Sequence, residues 1–296
     1  MKKWLRHGAA LAAPFLWRKF FHGMKKPAWP NGAKTAVTVS FDPDYPEDVK
    51  SIPVLLEWFN GVGFKGSFAC IGRWIEKYPR IHQRILDEGH EIINHTYDHP
   101  NNELLNAEQF FNTMSEKQQE QEIAGFEATA KKVLDYRPVG FRSPHFGDLH
   151  TQSVYTILER RGYAYSSSTN MTATNSHGLP YRPSKKNFRK KDEQNGYHLL
   201  ELPMVACPEH FFPVFDTWHC YRTKPPAHQK DGQFGALFRK AIQMAETHGN
   251  HANFYFDPRD VARRKEFQEC LEWLKKRRVW VVPSRNVADY WKKRGT

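Results

Sequence analysis

The sequence contains few cysteines for its length, and they are scattered. Four occur in 296 residues, and no two of them form a Cys-x-x-Cys pair: Cys70, Cys207, Cys220 and Cys270. This pattern predicts neither a disulfide framework nor a thiolate zinc site. A reducing compartment is therefore the favoured environment.

The chain also has no apolar run long enough to cross a bilayer, which takes about 20 residues. The run nearest the N-terminus, residues 8–17, is short and is interrupted by Pro14. It follows a basic segment, but no small-residue cleavage site comes after it, so a secretory signal is disfavoured. Residues 1–32 predict a basic tail or a peripheral membrane anchor, and a cytoplasmic or membrane-associated location is favoured over secretion.

Acidic residues are outnumbered, with 32 Asp and Glu against 44 Lys and Arg, which gives a net charge of +12. This charge favours anionic surroundings such as phospholipid headgroups, lipid-linked sugar phosphates or acidic glycans. Nucleic acid is disfavoured as a partner because no binding motif accompanies the charge. The hydrophobic fraction of 40% is enough for a substantial core, so a disordered chain is not expected.

Predicted strands and helices alternate along most of the chain. Strands are predicted at 35–41, 66–71, 90–94, 139–141, 163–167, 199–205, 252–256 and 279–282. Helices are predicted at 48–59, 74–86, 115–134, 151–161, 234–247 and 261–275, and from residue 286 onward. This alternation predicts an α/β fold with a mainly parallel sheet, and seven or eight strands fit a (β/α) barrel. We expect one barrel domain over residues 33–296, with a long polar loop at 169–197.

Charged side chains follow the ends of several predicted strands. Because the active sites of such barrels lie at the C-terminal ends of the strands, we expect these side chains to converge on one rim. They are Asp42, Asp44, His95, His99, Arg142 and Asp257.

Two pairs among them have spacings typical of metal ligands. Asp42 and Asp44 are two residues apart, and Pro43 favours an extended backbone in which both point to one face. His95 and His99 are four apart, which places them on one face of a helical turn. Together the pairs can bind one divalent metal and leave a carboxylate free as a base. The alternative for the acidic pair is an Asx-type turn that caps the next helix.

Arg142 follows the fourth predicted strand. It could orient a catalytic carboxylate through a bidentate hydrogen-bonded pair, or it could form a purely structural salt bridge. The turn after it, residues 143–147, could present backbone N–H groups as an oxyanion hole.

These segments resemble the motifs of the polysaccharide deacetylase family (carbohydrate esterase family 4). Residues 40–44 (SFDPD) resemble the first motif in an Asp-x-Asp variant seen in bacterial peptidoglycan-deacetylase-like members. Residues 94–100 (NHTYDHP) match the second motif, His-Ser/Thr-x-x-His, and residues 142–146 (RSPHF) resemble the third, Arg-x-Pro. The resemblance covers roughly residues 35–285, and it implies a distorted (β/α) barrel with about seven parallel strands.

The resemblance also implies a role for each residue of these motifs. Asp42 would be the general base, and Arg142 would tether it and keep it ionised. The backbone N–H of His145 would help to stabilise an oxyanion. The ligands of one divalent ion, Zn²⁺ or a similar cation, would be Asp44, His95 and His99.

The implied activity is metal-dependent hydrolysis of a carbon–nitrogen bond. The enzyme would remove an acetyl or other acyl group from an N-acylated sugar of a polysaccharide, a cell-envelope glycan or a lipid-linked precursor. One alternative is an amidohydrolase that acts on a small non-sugar amide. Another is a catalytically weak, metal-containing homologue that binds glycans.

One position departs from the family pattern. Where relatives carry a His-Pro pair after the strand at 252–256, this chain has Asp257-Pro258. The family histidine protonates the departing amine, and a carboxyl group could do so only if burial or the neighbouring Asp42 raised its pKa. Otherwise a nearby imidazole would substitute, or the site would bind without turnover. The candidate imidazoles are His210, His219, His248 and His251. Residues 165–168 (YSSS) also lack an aspartate that some relatives carry.

Overall fold

The computed structural model of the protein describes residues 3–145, 151–224, 227–228 and 230–294, with side chains from residue 8 onward. Its sheet contains β1 (Ala36–Phe41), β2 (Ser67–Cys70), β3 (Glu91–Asn94), β4 (Gly140–Phe141), β5 (Tyr165–Ser166), β6 (Leu200–Glu201), β7 (Ala252–Phe256) and β8 (Trp280–Val281). The first seven follow the order β6-β5-β4-β3-β2-β1-β7, and β8 pairs with β1. The described pairings are parallel. The predicted α/β fold, a distorted barrel with about seven parallel strands, is confirmed.

Helices surround this curled half-barrel. Those of the described residues are α1 (Lys3–Phe20), α2 (Pro46–Val62), α3 (Gly72–Lys77), α4 (Pro79–Asp87), α5 (Glu116–Leu134), α6 (Gln152–Arg160), α7 (Gln233–His248), α8 (Pro258–Val261), α9 (Lys265–Lys275) and α10 (Ser284–Arg294). The single helix predicted at 74–86 is two helices, because Pro79 has no N–H for the first helix and starts the second. The helix predicted at 261–275 begins later in the structure, at Lys265, and the separate short helix α8 precedes it.

Strand β1 is buried on both faces, as a parallel strand covered by helices must be. Val37, Val39 and Phe41 belong to the core that the helices cover. Thr38 and Ser40 lie on the other face, and the Ser40 hydroxyl donates to the carbonyl of Phe254 on β7 (2.7 Å). Strand β1 therefore joins the outer core to the barrel interior and ends directly at the predicted acidic pair.

The barrel is distorted where β6 and β7 approach each other. The strand predicted at 199–205 is shorter in the structure, at Leu200–Glu201, since Pro203 cannot donate to a ladder. The chain after β6 instead reaches β7 through two hydrogen bonds. The Val205 N–H donates to the Asn253 carbonyl, and the Asn253 amide donates to the Leu202 carbonyl (both 2.8 Å). Closure thus depends on individual contacts rather than on a continuous pairing of strands.

The N-terminal segment contains α1, which the sequence patterns did not predict. Its inner face packs on the core through Trp17, whose indole N–H donates to the Pro208 carbonyl (3.1 Å). Its outer face leaves Leu11 and Phe15 largely exposed, at 74% and 69%. Over the described residues, α1 and the other helices are too short or too polar to span a bilayer. The anchoring role of residues 1–32 stays a prediction.

The end of the barrel opposite the predicted site is organised by a buried carboxyl group, that of Glu91. It accepts hydrogen bonds from the hydroxyls of Tyr165 and Ser67 (both 2.8 Å) and from the backbone N–H of Arg285 (3.0 Å). To reach Glu91, the Tyr165 ring crosses Gly140, its register partner on β4. A Cβ atom at Gly140 would lie 2.1 Å from the Tyr165 ring, so only glycine fits there.

We predict that Gly140→Ala lowers the free energy of unfolding by about 1–3 kcal/mol, because the held Tyr165 ring cannot move aside without losing its bond to Glu91. The matched control is Gly61→Ala, at an exposed site of α2 with nothing within 4 Å of the added carbon. Alanine in a helix should raise the free energy of unfolding there by about 0.5–1 kcal/mol. Urea unfolding measures both changes, and equal effects would contradict the crossing of Tyr165 over Gly140.

Candidate active site

A cavity of about 660 Å³ opens at the C-terminal ends of the strands. Six of the seven predicted site residues line it: Asp42, Asp44, His95, His99, His145 and Asp257. The seventh, Arg142, is fully buried behind Asp42. The structure therefore brings together residues that lie more than 200 positions apart in the sequence.

Asp42 and Asp44 lie in a tight turn rather than in an extended segment. The Asp44 N–H donates to the Asp42 carbonyl (3.0 Å), which makes a three-residue turn centred on Pro43. The Asp44 carbonyl in turn accepts from the Trp74 indole N–H (3.0 Å). The predicted extended conformation was wrong, whereas the predicted convergence of the two carboxylates is observed. The alternative prediction was that this acidic pair caps the next helix. The cap of α2 is instead formed by Asp48, whose carboxylate accepts from the Tyr45 N–H.

His95 and His99 lie in an irregular loop after β3, not on the predicted helical turn. Thr96 and His99 have positive φ angles of 67° and 51°, which a helix does not allow. Side chains hold this backbone: Asn94 Oδ1 accepts from the Thr96 N–H (2.8 Å), and Thr96 Oγ1 accepts from the His99 N–H (3.1 Å). Both imidazoles nevertheless point to the same carboxylate, that of Asp44.

Three atoms of this group have the separations of metal ligands. Oδ1 of Asp44 lies 3.5 Å from Nε2 of His95 and 3.6 Å from Nε2 of His99. A tetrahedral centre with bonds of about 2.0–2.2 Å separates its ligand atoms by about 3.3–3.6 Å. Asp44 Oδ1 is buried and makes no ordinary hydrogen bond, so the site leaves it available to a cation. Nδ1 of His95 bonds to the Arg142 carbonyl (2.8 Å), and this places its proton on Nδ1 and leaves Nε2 free to bind.

The electrostatics of the group also fit a cation. Burial acts to raise the pKa of Asp44, but His99 and His95 outweigh it and hold that pKa at about 2. Burial lowers the pKa of His99 to about 3, which keeps its imidazole neutral. Burial acts to lower the pKa of His95 as well, but Asp44 and Asp42 outweigh it and raise that pKa. The carboxylates that favour a proton on His95 would equally favour a metal ion beside it.

Asp42 is held by Arg142. Nη1 of the guanidinium donates to Asp42 Oδ1 (2.5 Å), while Nε and Nη2 donate to the carbonyl and hydroxyl oxygens of Ser167 (3.1 and 3.2 Å). Ser167 therefore supports Arg142 in the segment that lacks the aspartate of some relatives. Burial raises the pKa of Asp42 in spite of Arg142 and His95. Arg142 thus acts against the larger effect of burial, and the ionisation of Asp42 at neutral pH stays a prediction.

Asp257 follows β7, at the position where the family resemblance predicts a histidine. Its Oδ2 accepts from the Thr217 hydroxyl (2.5 Å) and lies 3.4 Å from Nη1 of Arg222. Burial raises the pKa of Asp257 well above its ordinary value, against the opposing charge of Arg222. The condition for a carboxyl acid, a raised pKa, is therefore met. The neighbours that raise it beyond burial are Asp48 and Asp44 rather than Asp42.

The four alternative imidazoles are placed differently. His251 contacts Thr38 on the barrel side of β1 (2.9 Å), and His248 stacks on Phe21, so neither lines the cavity. His219 does line the cavity, but its Nε2 is directed at His210 Nδ1 (3.0 Å). Asp257 is therefore better placed than these imidazoles to carry a proton into the cavity.

His145 contributes its side chain as well as its backbone to this rim. Its ring lies 5.1 Å from that of His99, and its φ angle of 47° is left-handed. Burial lowers the pKa of His145. The oxyanion role of its N–H stays a prediction, and residues 146–147 of the same predicted turn lie outside the described residues.

Sequence patterns missed the segment that forms the other wall of the cavity. Asp216 accepts from the Tyr255 hydroxyl (2.6 Å) and the His219 N–H (2.5 Å), and burial raises its pKa to about 6. Trp218 stands at the mouth of the cavity with 58% of its surface exposed. No motif marks these residues, and the available signal was the unusual density of histidine and aromatic residues at 207–221.

Comparisons with known proteins support the family resemblance. Residues 30–166 match the family model described as polysaccharide deacetylase. Over 140 residues the chain is 31% identical to a peptidoglycan-N-acetylglucosamine deacetylase of Bacillus cereus, covering 47% of this chain and 46% of that relative. The chain thus spans less than half the length of this curated relative.

Two solved structures share the fold over nearly the whole chain. A Mycobacterium smegmatis protein named as a candidate polysaccharide deacetylase superposes with a TM-score of 0.71 at 19% identity, covering 92% of this chain and 96% of that one. The Puue allantoinase superposes with a TM-score of 0.68 at 14% identity, covering 92% and 95%. At these identities the likeness concerns the fold alone.

We predict that the purified protein binds a divalent metal through Asp44, His95 and His99. Replacing both imidazoles, as in His95→Ala/His99→Ala, should remove one equivalent of metal from the protein, because two of three ligands are lost. Elemental analysis after gel filtration measures the content. His22→Ala, at an exposed histidine away from the cavity, is the control and should match the wild type. A double variant with unchanged metal content would exclude this site.

Proposed function

We propose that this chain, which belongs to the polysaccharide deacetylase family, is a metal-dependent hydrolase that removes the acetyl group from an N-acetylated sugar. One observation carries the proposal: Asp42 is clamped by Arg142 and faces the three ligand atoms of Asp44, His95 and His99. A base next to a metal group in an open cavity is the arrangement that amide hydrolysis by water requires.

Asp44, His95 and His99 would hold the metal. When bound, the cation supplies a Lewis acid that lowers the pKa of water and polarises the acetamide carbonyl. Among the described residues, this group offers three ligand atoms, which is typical of a catalytic rather than a closed structural site.

Asp42 would act as the general base. Its Oδ1 is occupied by Arg142, whereas its Oδ2 lies 4.0 Å from Nε2 of His95 and therefore faces the metal group. Oδ2 can accept the proton that the attacking water loses as its oxygen bonds to the carbonyl carbon. Arg142 fixes the carboxylate in this orientation, so no rotation is needed during the reaction.

Asp257 would act as the general acid. Burial raises its pKa well above the ordinary value, and the protonated carboxyl group would donate its proton to the amine nitrogen as the carbon–nitrogen bond breaks. The charge that remains on Asp257 is then stabilised by the Thr217 hydroxyl and by Arg222. The products are acetic acid, which passes its proton to the sugar amine or to solvent and leaves as acetate, and the sugar amine. Solvent returns the proton from Asp42 to Asp257.

A glycan is the substrate class that the surroundings support best. Trp218 offers an exposed aromatic surface at the mouth, and Arg222 and Arg259 add positive charge to the cavity lining. A ring at the rim suits a sugar chain that continues out of the cavity, while the net charge of +12 favours acidic glycans. Because the Bacillus cereus relative is a peptidoglycan-N-acetylglucosamine deacetylase, we extend the proposal to a cell-envelope glycan.

We predict acetate release from N-acetylglucosamine oligomers or peptidoglycan fragments by the metal-loaded protein. Asp42→Asn should lower kcat/KM by about 10²–10⁴-fold, because the amide cannot accept the proton of the attacking water. Asp87→Asn, at an exposed carboxylate of α4, is the control and should leave the rate unchanged.

Two outcomes of this assay would contradict the proposal. Equal rates for the wild type and Asp42→Asn would exclude Asp42 as the base. Release from small cyclic or linear amides, with none from any glycan in the panel, would favour the amidohydrolase alternative.

We predict that Asp257→Asn lowers kcat by about 10²–10⁴-fold, since the amide has no acidic proton to donate. A general acid works in its protonated form, so wild-type activity should fall as pH rises through the raised pKa of Asp257. The Asn variant should lose this alkaline decline, whereas Asp257→His should restore part of the rate with a decline at the pKa of the imidazole. An unchanged pH profile in both variants would assign the proton donor to another group.

A further inference from the structure

A second group of metal-binding side chains lies outside the active-site ligands. Among the described residues, four side chains between β6 and α7 place one ligand atom each within 4.8 Å of the others. All four are buried, with at most 5% of their surface exposed. They are Cys207, His210, His219 and His228.

The spacing of these atoms matches a tetrahedral centre. Sγ of Cys207 lies 3.3 Å from Nε2 of His228 and 3.6 Å from Nδ1 of His210, which is 3.0 Å from Nε2 of His219. Zinc bonds of about 2.3 Å to sulfur and 2.0–2.1 Å to nitrogen give separations of about 3.3 Å between nitrogens and 3.6 Å between nitrogen and sulfur. The observed values lie within about 0.3 Å of these.

The environment of the ligands supports binding. The other nitrogen of the His228 ring, Nδ1, faces the carboxylate of Glu209 at 3.5 Å. A carboxylate on the far side of a ligating imidazole orients the ring and increases its basicity. His219 is held at its backbone N–H by Asp216 (2.5 Å). His228 and His219 are thus each held by a carboxylate outside the group.

We propose that Cys207, His210, His219 and His228 bind a second divalent ion of the zinc class and that this ion is structural. One thiolate and three imidazoles suit zinc in both ligand type and tetrahedral number. Four protein ligands fill the coordination sphere and leave no position for water or substrate. The active-site group, with three protein ligands, is the open counterpart.

This ion would stabilise the wall of the active site that contains the least regular structure. Between β6 and α7, the described chain has only one short helical turn, Trp218–Arg222. The same segment provides Asp216, Thr217 and Arg222, which contact Tyr255 and Asp257. Linking four points of this segment through one ion would hold Thr217 and Arg222 against Asp257. The proposal concerns binding and stability, and it holds whether or not the active site turns over.

Cobalt substitution tests the proposal without an activity assay. Only the second group contains sulfur, so a thiolate-to-cobalt charge-transfer band in the near-ultraviolet reports on it alone. We expect this band in the cobalt-loaded wild type and in His95→Ala/His99→Ala. Cys207→Ser should abolish it, while Cys270→Ser, at a buried cysteine of α9 outside the group, should keep it.

Zinc content supplies the second measurement. The wild type should hold two equivalents, and Cys207→Ser and His95→Ala/His99→Ala should each hold one. Removing zinc from His95→Ala/His99→Ala with a chelator should lower its melting temperature.

The wild type alone can overturn the proposal, even if Cys207→Ser fails to fold. A wild type with at most one equivalent of zinc and no thiolate band would show that the four side chains form a hydrogen-bonded cluster without metal. A wild type that shows the thiolate band but releases no acetate from any glycan would instead reject the proposed function and leave the second site intact.

Discussion

The buried ion pair between Arg142 and Asp42 is the interaction on which the geometry of the site depends. A guanidinium group with no exposed surface costs several kcal/mol to bury unless partners compensate it. Here Asp42 supplies the opposite charge, and Ser167 accepts two further hydrogen bonds from the guanidinium. The carbonyl of Arg142 also orients the imidazole of His95. A single residue at the end of β4 thereby aligns the proposed base, a proposed metal ligand and the end of β5.

Three aspartate side chains around this cavity have different pKa values because their surroundings differ. Two imidazoles hold the pKa of Asp44 at about 2, which suits a ligand. Burial raises the pKa of Asp42, which strengthens it as a base, and it also raises the pKa of Asp257, which suits a proton donor. Environments that separate the pKa values of neighbouring carboxyl groups are how one site supplies both a base and an acid. The change from histidine to aspartate at position 257 is therefore compatible with catalysis, provided that the wall containing Thr217 and Arg222 stays in place.

Sequence patterns located the parts of the fold and the site that depend on local periodicity. The strand at 252–256 was predicted to the residue, and the ends of β1, β3 and β4 pointed to the rim. The conformation of the ligand loops was not predictable, because spacing of four suggests a helix, whereas Asn94 and Thr96 stabilise left-handed backbone there. The wall at 207–224 could not be placed, since its contacts join residues such as Thr217 and Asp257 that have no shared pattern. A search for Cys-x-x-His with later histidines would have marked Cys207 and His210 as candidates.

The proposed mechanism requires a metal ion at the open end of the barrel, and anomalous diffraction locates such an ion directly. Crystals grown with zinc and measured on both sides of the zinc absorption edge would give an anomalous difference map of this region. We expect a peak bounded by Oδ1 of Asp44 and Nε2 of His95 and His99, at about 2.0–2.2 Å from each. A map with these side chains in place and no peak between them would contradict the proposed mechanism.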